Sequence, residues 1–492
     1  MSRVLSLSAL LVFLVPYAPA ETPAQSLRDY VVQGANRTAY GIYVGNKKAG
    51  WEVDEIKLGK HDGKEVAVAT SQSYMAVMVD GTKTVLEQKE IDCYELEGEG
   101  SVVFCELRVI EDGQETVRTA VRQGDGMVQT IQVGDRKTER KLPLPKDTLA
   151  LQRQLEAWLR TAKKDDAFDN WTTSWDEDAI DVKETYTFKE KKPINLGGVE
   201  TEAFVVQTLS QGAKSNEELL GDARPLVVKI GVMEMRMEKE AVAKKLDENV
   251  DLMAATSIKV DKDLGRASRI EKLTLELTGL DDYALPESPR QRIVSRKDNV
   301  AVLELSRDRP ADRPTTLGEE ERKEDLKATT SMQSDSEAIR KLAKEIVGDE
   351  KDPVKAAMLL EKWVYKNLRK TYDANADDAL TVLANRAGDC TEHTLLFTTL
   401  ARAAGIPARQ VGGVVYVGGD DPSFGWHAWS EIHDGGRWVT VDPTFGQVNV
   451  DPTHIKFSEG SEDQAYLNVA GKLKVKVLKV ETKRQGRPAS NG

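Results

Sequence analysis

The sequence predicts an α+β protein. A large, mostly antiparallel β region comes first, followed by a smaller C-terminal domain in which a helix carrying a cysteine packs on an antiparallel sheet. Three observations predict this. Residues 36–145 break into short alternating runs split by Gly, Asp and Asn, the mark of half-buried strands. Two helical periodicities follow residue 335. Three strand-like runs then follow a cysteine-bearing helix. At 492 residues the chain is too long for one compact domain, and 40% hydrophobic residues supply several cores.

The first residues read "MSRVLSLSALLVFLVPYAPAET". Arg3 supplies positive charge, Leu5 to Val15 is apolar, and Ala18-Pro19-Ala20 fits a cleavage site. Residues 1–20 are therefore expected to be a signal peptide, with the mature chain periplasmic or secreted. The apolar run is too short to span a bilayer, and no second long run follows, so no transmembrane segment is expected after cleavage.

Residues 21–250 read as a β-rich domain of unknown function. It is interrupted by a helix at "DTLALQRQLEAWLRTAKK" and resumes at "DVKETYTFKE" and "ETEAFVVQTLS". Trp171 and Trp175 are expected to pack in its core, and His61 to lie in the solvated turn "KHDGK". Residues 251–307 continue the β pattern. Residues 308–335, rich in Pro and charge and poor in large apolar residues, read as a linker. Residues 336–480 form the last domain. There Asp352 caps a helix and Pro353 takes its first position. Residues 481–492 read as a disordered tail.

The net charge of −12 excludes an extended nucleic-acid surface, which needs positive excess. Export permits disulfides. Cys93 and Cys105 flank "YELEGEGSVVF", and a turn at Gly98-Glu99-Gly100 would oppose them as a candidate bridge; the alternative is two free, partly buried thiols. Either way Cys390, the third cysteine, is left over and needs an explanation.

Cys390 lies in "GDCTEH". Gly388 lets the chain turn, Asp389 caps the helix, and Cys390 falls in the first turn, where free N–H groups favour negative charge and can hold an oxyanion. Leu395, Leu396, Leu400, Ala403 and Ala404 form the buried side. A thiol nucleophile needs a base and an orienter. The hairpin "GWHAWSEIHDGGRWVTVDPT" offers both. With Asp434-Gly435 at the tip, His427 is opposed to Asp442, about 5 Å apart at Cβ. With Gly435-Gly436 at the tip, they become diagonal neighbours on the same face. Ala428, Ser430, Ile432, Val439 and Val441 share one face; His427, Trp429, Glu431, Trp438, Thr440 and Asp442 share the other. Glu431 and Trp429 read as cross-strand packing.

"GDCTEH", "GIPAR", "VGGVVY", "WHAWSEI", "WVTVDPTFGQ" and "DPTHIKF" together resemble the bacterial transglutaminase-like superfamily of papain-fold thiol enzymes, over about residues 340–465. The resemblance implies a papain-like core with Cys390 as nucleophile, His427 as base and Asp442 as orienting acid. Some members add a side chain at the oxyanion, for which Trp363, Tyr365 and Trp426 are candidates; His393 is a surface residue of the helix that could line the cleft. Cys390 and His393 also have metal-ligand spacing, but Asp442 already accounts for His427, so no metal and no cofactor are expected. His454 reads as structural. The expected activity is acyl transfer from an amide or peptide carbonyl, on a protein or peptide substrate, with the cell envelope as one candidate source. The alternative is a non-catalytic envelope scaffold of the same fold. Nucleic acid is not an expected partner.

Overall fold

The computed structural model describes residues 26–483 except 35, 80, 176–180, 197, 282, 309–315, 372–375, 377, 419–421 and 461–464. The expected signal peptide lies outside the described residues. Contacts divide the chain into two units at Ala255 and Thr256.

The first unit is built on a 14-stranded antiparallel sheet. Eight strands, from Asn36–Val44 to Arg136–Pro143, follow one another as a meander. A second meander runs from Ala167–Thr173 to Met233–Glu238, and its last strand pairs with Asn36–Val44. The predicted helix is Leu149–Thr161, capped by Thr148, whose side chain accepts from Leu151 N. Trp175 is buried.

Period-two burial leaves one face of this sheet apolar and acidic by turns. Register aligns Glu52 with Ser73 and Gln88, and Asp54 with Ser71 and Glu90. Burial, reinforced by neighbouring carboxylates, lifts Asp92 and Glu184 to about 7. Burial likewise lifts Asp54 to about 7 and raises Glu52, the latter with help from Asp54. A carboxyl raised in the folded state binds its proton more tightly there than in the unfolded chain. Its stabilisation is complete below the unfolded value of about 4 and is lost as pH rises through about 7. Thermal unfolding of the whole chain is therefore expected about 10 °C lower at about pH 8 than at about pH 5, read by calorimetry. An unfolding temperature that rises over this interval would contradict it.

Of the two alternatives for Cys93 and Cys105, a bridge or two free thiols, the structure has the second, with both buried. The register pairs Cys93 with Phe104 and Asp92 with Cys105. That is one residue off the predicted alignment, and an odd slip sends the two side chains to opposite faces.

The second unit holds a sheet around the strands Ala408–Val417, Ser423–His433 and Trp438–Asp442, edged by Gln447–Val448 and Ile455–Glu459. Ile258–Lys259 pairs with the His427-bearing strand. A separate four-stranded sheet combines Ile270–Thr278, Gln291–Lys297, Val300–Ser306 and Lys474–Thr482. The last of these strands runs through Glu481 and Thr482, so the expected tail begins within it; residues 484–492 lie outside the described ones. The stretch read as a linker is more than that. Glu319–Glu324 is helical, and Met332 is buried in the core formed with Ile339, Leu360 and Leu396. One large apolar side chain is enough to anchor a polar segment.

Candidate active site

The helix Cys390–Ala403 starts on a capping box. Asp389 Oδ1 accepts from Thr391 N at 2.7 Å, and Glu392 Oε2 accepts from Asp389 N at 2.7 Å. Gly388 has φ +155°, and a Cβ there would collide with the Glu392 side chain, so only glycine fits. Leu395, Leu396, Phe397 and Leu400 bury against Ile432, Val439 and Val441. Thr398 Oγ1 and Ser430 Oγ, 2.9 Å apart, tie the helix to the His427-bearing strand. Cys390 is half-buried.

The hairpin pairs Ser430 with Val441, Ile432 with Val439 and His433 with Trp438. Its tip is therefore Gly435-Gly436 rather than Asp434-Gly435. The reason is local: Asp434 Oδ1 accepts from Gly436 N at 2.8 Å and Arg437 N at 2.9 Å, closing the turn around its own side chain. His427 and Asp442 are accordingly offset rather than directly opposed, yet their side chains meet, with His427 Nε2 2.8 Å from Asp442 Oδ2.

Cys390 acts electrostatically on the same imidazole, whose Nε2 is turned to Asp442. Burial alone would strip the proton from His427, but Asp442 and Cys390 outweigh it and hold its pKa up at about 10. Burial also works against the Asp442 charge; His427 and His454 overcome it and keep the carboxyl far below the usual range. Asp442 Oδ1 accepts from Thr444 N at 2.7 Å and Phe445 N at 2.9 Å. The Phe445 ring stacks on His427, centroids 4.6 Å apart. Glu361, from the helix Pro353–Asn367, is raised to about 7 by burial and then by Asp442.

The other expected site residues scatter. His393 is not at the helix surface: it is fully buried, with Nδ1 2.7 Å from Asp389 O, and burial lowers its pKa. Trp363 packs partly against the helical core, with Arg386 4.6 Å above its ring. Tyr365 is 42% exposed and borders Gly446, two residues from Thr444. Trp426 packs on Phe457, centroids 5.5 Å apart, in the core shared with the four-stranded sheet. Glu431 takes part in a buried ion cluster, with Lys456 Nζ at 2.9 Å and Arg409 Nη2 at 2.7 Å.

His454, read as structural, reaches Asp442 Oδ2 through Nε2 at 3.0 Å. The signal for it lay in strand pairing. Gly413 faces both His427 and Lys456, so Ile455–Glu459 runs two strands from His427 and brings the preceding His454 to the site. Among the described residues, His427, Asp442 and His454 offer ligand atoms within 4.8 Å of one another, as do Glu90, Asp92 and Cys105 in the first unit. The first set is already joined by hydrogen bonds of 2.8 and 3.0 Å; ligand atoms each about 2.0–2.1 Å from a tetrahedral zinc stand roughly 3.3 Å from one another, so a metal would have to break these bonds.

Residues 340–443 match the transglutaminase-like superfamily. A protein of Haemophilus influenzae, described only as uncharacterized, is 35% identical over 95 residues, which are 18% of this chain and 25% of that protein. The chain thus spans about a quarter of that relative's length. Among solved structures, a putative cysteine protease from Cytophaga hutchinsonii aligns at 19% identity over 44% of this chain and 86% of its own, with a TM-score of 0.30. A putative protease from Parabacteroides distasonis aligns at 11% identity over 70% and 69%, with a TM-score of 0.18. Residues 340–443, the stretch holding Cys390, His427 and Asp442, are a domain of the transglutaminase-like superfamily.

Proposed function

We propose that the protein is an exported thiol acyl-transfer enzyme with a papain-like core, acting on an amide or peptide carbonyl through Cys390, His427 and Asp442. The observation that carries this reading is the His427 imidazole, bonded to Asp442 through Nε2 and with its pKa raised by Asp442 and by Cys390. With the His427 pKa held at about 10, the thiol proton already rests on Nδ1 before the attack, and the Cys390 sulfur then adds to the carbonyl carbon. The Cys390 backbone N–H, in the first helical turn, faces the developing oxyanion. The C–N bond then breaks, and His427 passes its proton to the departing amine, leaving a thioester. Water or a second amine attacks the thioester and releases the acyl group. Asp442 keeps the imidazole in the Nε2–H tautomer throughout. Export rests on the residue pattern of 1–20 and makes an envelope protein or peptide the natural substrate.

The test is incubation of the mature chain with dimethylcasein, with and without a fluorescent primary amine. Amine incorporation identifies transfer, and fragments identify hydrolysis. The absence of both, together with no thioester trapped at Cys390 by mass spectrometry, would refute the reading.

A further inference from the structure

Asp442 serves two imidazoles at once. His427 Nε2 and His454 Nε2 both meet Oδ2, at 2.8 and 3.0 Å. Oδ1 takes two backbone N–H groups, so four donors use the whole capacity of the carboxylate. An ionised carboxylate only accepts, so His454 Nε2 carries a hydrogen.

His454 is itself held rigidly. It is fully buried, and the Trp429 ring stands edge-on to it at 5.3 Å. Its carbonyl accepts from Arg290 Nη1 at 3.1 Å, while Arg290 Nη2 donates to Asp451 O at 3.0 Å. Its Nδ1 lies 3.5 Å from Asp451 Oδ1, within charge-pairing reach but too long for a hydrogen bond. Asp451 is fixed in turn by Thr453 Oγ1 at 2.6 Å and Gln447 Nε2 at 3.0 Å. The imidazole therefore cannot follow Asp442 if the carboxylate rotates, and any rotation would strand a buried donor.

We propose that His454 is a positioning residue of the site: its Nε2–H pins Asp442 Oδ2 in the place where it meets His427 Nε2. The effect on rate rests on the thiol-enzyme reading, whereas the effect on the His427–Asp442 bond does not.

Two variants of the mature protein test this. Gln carries an amide N–H about as far from the backbone as Nε2; Leu fills the space without a donor. The readouts are kcat and KM for p-nitrophenyl acetate and the low-field proton resonance of His427 Nε2–H. His454→Leu is expected to lower kcat by about 10- to 100-fold at unchanged KM and to shift or erase the resonance. His454→Gln is expected to keep kcat within about 3-fold and to retain the resonance. A folded Leu variant with wild-type kcat and an unmoved resonance would overturn the proposal. If the Leu variant does not fold, His454→Asn replaces it, because its amide is too short to reach Oδ2; equal behaviour of the Asn and Gln variants would overturn the proposal. If the wild-type protein does not turn over the ester, the resonance alone decides, and the failure belongs to the enzyme reading.

Discussion

Cys390→Ala is expected to lower acyl-transfer turnover by about 10⁴- to 10⁶-fold, to background, without unfolding the protein. The two halves of this expectation have separate causes. Activity goes because the sulfur forms the thioester, and Cys390 is the single cysteine of its unit, Cys93 and Cys105 belonging to the first. Stability stays because the helix start does not depend on the thiol. Asp389 and Glu392 form the capping box, the apolar contacts begin at Leu395, and Cys390 is half-buried in the first turn, where Ala is well tolerated. The change in stability near neutral pH is expected within about 0.5 kcal/mol.

The alkaline side carries a further signature. The raised pKa of His427 contributes stability that is present below about 6.5 and lost as pH rises through about 10. Cys390 is one cause of that elevation, so in the Ala variant the loss still begins near 6.5 but is smaller and complete at a lower pH. Unfolding curves recorded from neutral to alkaline pH, beside turnover, read both effects. A folded Ala variant that still forms product would remove Cys390 from the mechanism.

Sequence patterning reached the site where periodicity governs and missed it where single contacts do. A helix beginning at Pro353 and another beginning at Cys390 were legible because Asp352 and Asp389 are strong caps at the head of apolar runs. That His427 and Asp442 share a face was legible because either hairpin tip preserves parity. The tip itself was not, because Asp434 draws the turn one residue onward with its own carboxylate. The same limit applies to Cys93 and Cys105, where one residue of register separates opposed side chains from opposite faces. Met332 and His454 escaped for a different reason. Each owes its place to long-range contact, Met332 with helices that follow it and His454 through pairing of the strand after it with Ala408–Val417. Nothing in the local sequence records those partners.

Asp442→Asn is expected to leave the fold intact and cut kcat by about 10⁴-fold, and the four donors around the carboxylate explain why. The amide has one oxygen and one NH₂ to place. The Thr444 and Phe445 N–H groups at Oδ1 are backbone donors and cannot become acceptors. The two imidazoles at Oδ2 can, by moving a proton from Nε2 to Nδ1. The amide oxygen therefore settles on the backbone side and the NH₂ faces the rings. His427 is then held with its hydrogen on Nδ1, the nitrogen that must receive the thiol proton, and the base is blocked. Loss of the carboxylate charge also removes the strongest influence holding His427 protonated, so its pKa falls from about 10. The low-field His427 Nε2–H resonance should disappear with the activity, while the thermal transition at neutral pH remains cooperative. A folded Asn variant with wild-type kcat, or one that keeps that resonance, would show that Asp442 does not set the tautomer.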